Sequence, residues 1–159
     1  MAGGRGKLAG VQYAALPWRL RGDDVQILLV TSRRTRRWII PKGWPMDGRK
    51  PTEAAAQEAE EEAGVRGTID KASVGQYRYM KLLRDGVELP CQVEVFALKV
   101  TEESPDWDEM DARERRWCSV AEAADAVLEP QLRMVIHRFG ARITAARRRS
   151  KVSHGRRPA

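Results

Sequence analysis

The sequence predicts an α/β fold in which a mixed β-sheet lies between helices, an α/β/α sandwich. Three observations carry this expectation. Two β-rich runs, Val11 to Leu20 and Val25 to Ser32, precede a loop-and-helix stretch from Gly43 to Val65. Two more, within Arg66 to Leu83 and Glu88 to Thr101, follow it. The chain then closes on Leu132, Val135, Ile136 and Phe139, apolar residues at helical spacing behind Pro130, which suits a first helical turn.

Residues 1–10 are rich in Gly and basic side chains and are expected to be a flexible N-terminus. The first two runs are split by Arg21-Gly22-Asp23-Asp24 and read as a hairpin. The second run, VQILLVTS, is almost continuously apolar, so it should be a central strand covered on both faces. Trp38-Ile39-Ile40 then leads into Pro41-Lys42-Gly43. The helix that follows has Pro51 in its first turn, Thr52 as a plausible N-cap, Glu53 at the positive end of the dipole and Gly64 as a left-handed cap. Arg84-Asp85-Gly86 is a hairpin turn. An acidic loop, Glu102 to Asp111, comes before a short strand around Arg116 to Val120 and a brief helix from Ala121 to Leu128.

At 159 residues the chain is one domain with room for a core. It has no apolar run near the roughly 18 residues of a membrane span and no signal-peptide core, so a cytoplasmic location away from membranes is expected. Cys91 and Cys118 lack metal-ligand spacing. The net charge of +7 is local: from Arg142 to the end stand Arg142, Arg147, Arg148, Arg149, Lys151, Arg156 and Arg157 with no acidic residue, and the rest of the chain is balanced. Residues 11–141 therefore form the expected body, and 142–159 an expected disordered basic tail open to nucleic acid. Nothing in the sequence speaks to oligomeric state.

Glu58, Glu61 and Glu62 stand at i, i+3 and i+4, which places three carboxylates in one arc of the helix. Like charges so placed repel. A solvated acidic face is one reading; a divalent cation that also holds substrate phosphates is the other. The spacing of the whole stretch decides between them. GWPMDGRKPTEAAAQEAEEEAGV resembles the Nudix box, with Gly43, Glu58, Ala59, Glu61, Glu62, Gly64 and Val65 in register. Arg49 and Gln57 depart from it, standing where the family has a Glu and an Arg that pair. LLVTSRRTRRWIIPKG and the later ERRW are similar to the branch that hydrolyses diphosphoinositol polyphosphates and diadenosine polyphosphates.

This resemblance implies a pyrophosphohydrolase acting on a highly phosphorylated small molecule with Mg²⁺, or Mn²⁺, as cofactor. Hydrolysis of capped or triphosphorylated RNA ends, or a binding module that has lost catalysis, are the other readings. Glu58, Glu61 and Glu62 fall on the family's catalytic, metal-binding positions, with the Gly43 backbone beside the metal. Arg33, Arg34, Arg36 and Arg37 lead into the box and are expected to clamp phosphate, with Lys42 and Arg49 as further substrate cations. The general base stays open among the box glutamates, Glu94, Glu109 and Glu114. Glu60, on another side of the helix, should face solvent. Trp38 is expected to pack and His137 to be structural.

Overall fold

The computed structural model describes residues 10–155. Most of the expected flexible N-terminus, residues 1–9, lies outside the described residues, and Gly10 already opens a strand. The elements in chain order are β1 (Gly10–Arg21), β2 (Asp24–Thr31), β3 (Trp38–Ile39), β4 (Lys42–Gly43), α1 (Pro51–Ala63), β5 (Val65–Leu82), β6 (Glu88–Glu103), β7 (Arg115–Ser119), α2 (Val120–Ala126) and α3 (Pro130–Gly155). They build a single 7-stranded sheet in the order β3-β2-β1-β6-β5, with β4 on β1 and β7 on β2. The β1–β6 pair is parallel and the others antiparallel, which makes the sheet mixed.

Strand periodicity sorts the core into two layers, as a covered sheet requires. On one face Ala15, Leu28, Val30, Phe96 and Leu98 meet Ala55, Ala59 and Ala63 of α1. On the other, Leu16, Ile27, Leu29, Val93 and Val95 meet Ala123 and Ala124 of α2 and Leu132, Val135, Ile136 and Phe139 of α3. The β2 strand contributes to both layers, as its unbroken apolar run implies. Trp38 packs against the second core. Small alanines let α1 lie close to the sheet.

Three expectations are corrected. First, the N-cap of α1 is Lys50, not Thr52; the Glu53 carboxylate accepts from the Lys50 N–H at 2.8 Å, and Gly64 caps the far end with φ 67°. Second, the β-rich stretch read as Arg66 to Leu83 is one long strand, Val65–Leu82, and two of its register shifts fall between Ile69 and Gly75. Gly75 has φ 154°, and a Cβ there would strike Val135 of α3, so this bend needs glycine. Third, α3 does not end near residue 141 but continues to Gly155. Arg142 reaches Asp70 at 3.7 Å, and Arg147 and Lys151 both reach Asp23 in the β1–β2 turn, at 3.7 and 2.5 Å. Ile143 packs against the second core, and these ion pairs lay the rest of the extension against the body. Among the described residues no helix is long and apolar enough to cross a membrane.

Candidate active site

The site forms where β4 turns into the loop before α1. Tyr13 of β1 pairs with Gly43 on one side and Glu94 of β6 on the other, so all three lie in one row across the sheet. A Cβ at Gly43 would collide with the Glu58 carboxylate, so a glycine is needed for that carboxylate to lie against β4. Glu62 is only 2% exposed. Its Oε2 accepts from the Lys42 backbone N–H at 2.9 Å, and its Oε1 meets Arg113 Nη2 at 2.9 Å.

Glu58 lies against Glu62. Burial, and then the negative charges of Glu62, Glu61 and Glu109, push its carboxyl up to about 8. Burial also raises Glu62, against the opposing pull of Arg113 and Lys42. Glu61 is turned aside and accepts from Gln57 Nε2 at 2.9 Å. Among the described residues no three ligating side chains converge on one point, so a cation would have to draw Glu61 inward. The donor set nevertheless suits a hard divalent ion: acid oxygens in excess of nearby positive charge, beside an open backbone at Gly43.

The three base candidates separate. Glu109 sits at the site: its N–H donates to the Glu61 carbonyl at 3.1 Å, and its Oε1 receives Arg113 Nε and Arg33 Nη2, both at 2.9 Å. Glu94 is half-buried on the same sheet face as α1. Glu114 is 67% exposed, and among the described residues its carboxylate pairs with Arg36, at 3.8 Å.

The expected four-arginine clamp is divided. Arg33, Arg34 and Arg36 are exposed on the loop after β2, and Arg34 has no ion pair among the described residues. Arg37 turns away, forming a two-pronged pair with the buried Glu129 at 3.0 and 3.1 Å, which ties this loop to the start of α3. Lys42 is also redirected. It pairs with Ala14, whose side chain faces α2 and α3, so its ammonium lies 4.8 Å from the Tyr79 ring on the sheet face opposite α1. Burial depresses that ammonium to about 8. Arg49 lines a groove of about 1110 Å³ with Glu53, Gln57, Glu61, Trp107 and Asp108, on the outer flank of α1. Glu60 faces outward and pairs with Arg66. His137 is an exposed residue of α3.

Two residues at the site escaped the sequence analysis. Trp107 donates its indole N–H to the Glu62 carbonyl at 2.9 Å and stacks under Arg115, pinning the acidic loop to the end of α1. Arg113 bridges Glu62 and Glu109. Its one sequence signal, a position four residues after Glu109, is too common to single it out.

The NUDIX domain profile matches residues 12–139 of the chain. The chain belongs to the Nudix family. It is 38% identical over 106 residues to Nudix hydrolase 12, mitochondrial, of Arabidopsis thaliana, covering 65% of this chain and 52% of that protein. It is 31% identical over 112 residues to diphosphoinositol polyphosphate phosphohydrolase 3-alpha of Mus musculus, covering 69% and 64%. The chain thus spans about half to two thirds of the length of these curated relatives. A C. elegans Ap4A hydrolase binary complex shares the fold, with TM-score 0.64 at 18% identity, over 86% of this chain and 98% of that one. The box resemblance therefore extends to a Nudix fold over most of the chain.

Proposed function

We propose that this Nudix protein is a Mg²⁺-dependent pyrophosphohydrolase that cleaves a phosphoanhydride bond in a highly phosphorylated small molecule, a diphosphoinositol polyphosphate or a dinucleoside polyphosphate. One observation carries the reading: half-buried Glu58 and buried Glu62, at positions the family box assigns to metal binding, lie together beside Gly43, with Glu61 and Glu109 adding negative charge. A resident Mg²⁺ or Mn²⁺ would offset charge on the phosphoryl oxygens during attack by water. Glu58, Glu61, Glu62 and the Gly43 backbone would hold it.

The chain's own groups supply position. The Lys42 N–H and Arg113 fix Glu62, and Gly43 makes room for Glu58. Glu109 is the best placed of the three base candidates to take a proton from water, because it alone is tied to both the α1 backbone and Arg113. Arg33, Arg34 and Arg36 on the loop after β2, and Arg49 on the outer flank of α1, present exposed guanidinium groups suited to several phosphates. The name of the Mus musculus relative, diphosphoinositol polyphosphate phosphohydrolase 3-alpha, supports the same substrate class.

A second reading, hydrolysis at RNA 5′ ends, is favoured only by the exposed Arg148 and Arg149 of α3. Both readings meet in one assay: phosphate or nucleotide release from inositol pyrophosphates, dinucleoside polyphosphates and triphosphorylated RNA, each with Mg²⁺, with Mn²⁺ and with EDTA. Small-molecule turnover that needs the cation is the expected result. Turnover confined to RNA would favour the second reading. No turnover of any substrate, with binding retained, would make the protein a binding module.

A further inference from the structure

We infer that Arg113 is a positioning residue that sets Glu109 at a fixed distance from the box glutamates. This rests on the hydrolase reading above. The Arg113 side chain is 11% exposed, and all three of its nitrogens are engaged, each by a different part of the fold. Nη2 meets Glu62 Oε1 of α1 at 2.9 Å, Nε meets Glu109 Oε1 of the acidic loop at 2.9 Å, and Nη1 donates to the Thr31 carbonyl at the end of β2 at 3.0 Å. None of the three groups is free to drift. Glu62 is held from its other oxygen by the Lys42 N–H, and Glu109 is anchored by its own N–H to Glu61.

Without the guanidinium, Glu109 and Glu62 would be two carboxylates repelling across a buried gap, and the loop carrying Glu109 would move outward. With it, a planar fork holds both and fixes the distance between them. Lysine offers the same charge from a single point and cannot engage both carboxylates and the carbonyl in that plane. All three Arg113 nitrogens are taken up by protein groups. The residue acts through Glu109 and Glu62.

Arg113→Lys in the full chain tests this, since it keeps the charge and removes the fork. The expected result is a kcat lower by about 10- to 100-fold with KM changed by less than about threefold, the pattern of a misplaced group rather than of lost binding. Amide exchange should quicken across residues 104–112 and stay unchanged in α3. In the double variant Arg113→Lys/Glu109→Gln, the losses should not multiply, because the first acts through the second. A single Lys variant within about threefold of the parent kcat, or losses that multiply, would overturn the inference.

The exchange measurement needs no turnover. If the parent protein hydrolyses nothing, the hydrolase reading fails, while unchanged exchange at 104–112 in Arg113→Lys overturns the tether independently. Should that variant not fold, Glu109→Ala removes the acceptor and reads the same tether from its more accessible end. Faster exchange in 104–112 supports the inference there, and unchanged exchange overturns it.

Discussion

Glu62 has no spare oxygen, whereas Glu61 has one bond to a replaceable glutamine, and two residues side by side in the sequence therefore respond differently to the same change. Glu61→Gln should fold as the parent does and lose most Mg²⁺-dependent turnover, read from melting curves and kcat with and without cation. Glu62→Gln should also lose turnover but melt lower, by the equivalent of about 1–3 kcal/mol, because an amide N–H₂ cannot satisfy both Arg113 and the Lys42 N–H. Gly43→Ala should leave the chain folded and cut kcat at least about tenfold, since the new methyl occupies the place of the Glu58 carboxylate. Equal melting of the two Gln variants, or full activity of Gly43→Ala, would contradict these assignments. The sequence showed that the three glutamates share one arc, because that follows from the helical period alone. It could not show which is buried and which turned aside, because the deciding partners, Lys42 and Arg113, come from other elements.

Among elements, the short ones are where reading from sequence ran out. The two-residue strand β4 decides that Lys42 points away from α1, and a shift of one residue would reverse that. The loop after β2 has the composition of a clamp, yet Arg37 serves as a brace to Glu129, a pairing across most of the chain that no local pattern announces. The hairpin of β1 and β2 and the loop-to-α1 turn were legible because local turn chemistry sets them. At the end of α3 the absence of an apolar stripe pointed to disorder, while Asp23 of the β1–β2 turn and Asp70 of β5 supply ionic partners from distant parts of the chain. Exposed pairs of this kind are weak and salt-sensitive. Truncation after Ala146 should therefore remove helical circular dichroism, lower Tm by less than about 3 °C and leave small-molecule kcat/KM unchanged. A collapse of kcat/KM would place the end of α3 over the site.

For the molecule as a whole, the site stores a charge imbalance that couples folding to pH and to metal. Folding moves the Glu58 carboxyl from 4.5 to about 8, so the folded chain holds that proton more tightly than the unfolded chain does. The stabilising contribution is complete below the unfolded value and is lost as pH rises through the folded one. Lys42 moves the other way, from 10.5 to about 8, and its proton is held less tightly in the folded chain. Its effect is to raise stability with pH, but only between about 8 and 10.5, so it does not mask Glu58 at lower pH. In EDTA, Tm should therefore fall as pH is raised from about 5 to 8. Mg²⁺ binds the ionised carboxylates and competes with that proton, so the rise in Tm on adding millimolar Mg²⁺ should grow over the same interval. Glu61→Gln should shrink that rise at every pH by removing one ligand, while leaving the fall in EDTA in place. Melting curves over a pH series, with EDTA or Mg²⁺, check all three statements. A Tm that climbs from pH 5 to 8 without metal would mean that Glu58 ionises in the ordinary carboxylate range and that the cluster carries no surplus charge for a cation to relieve.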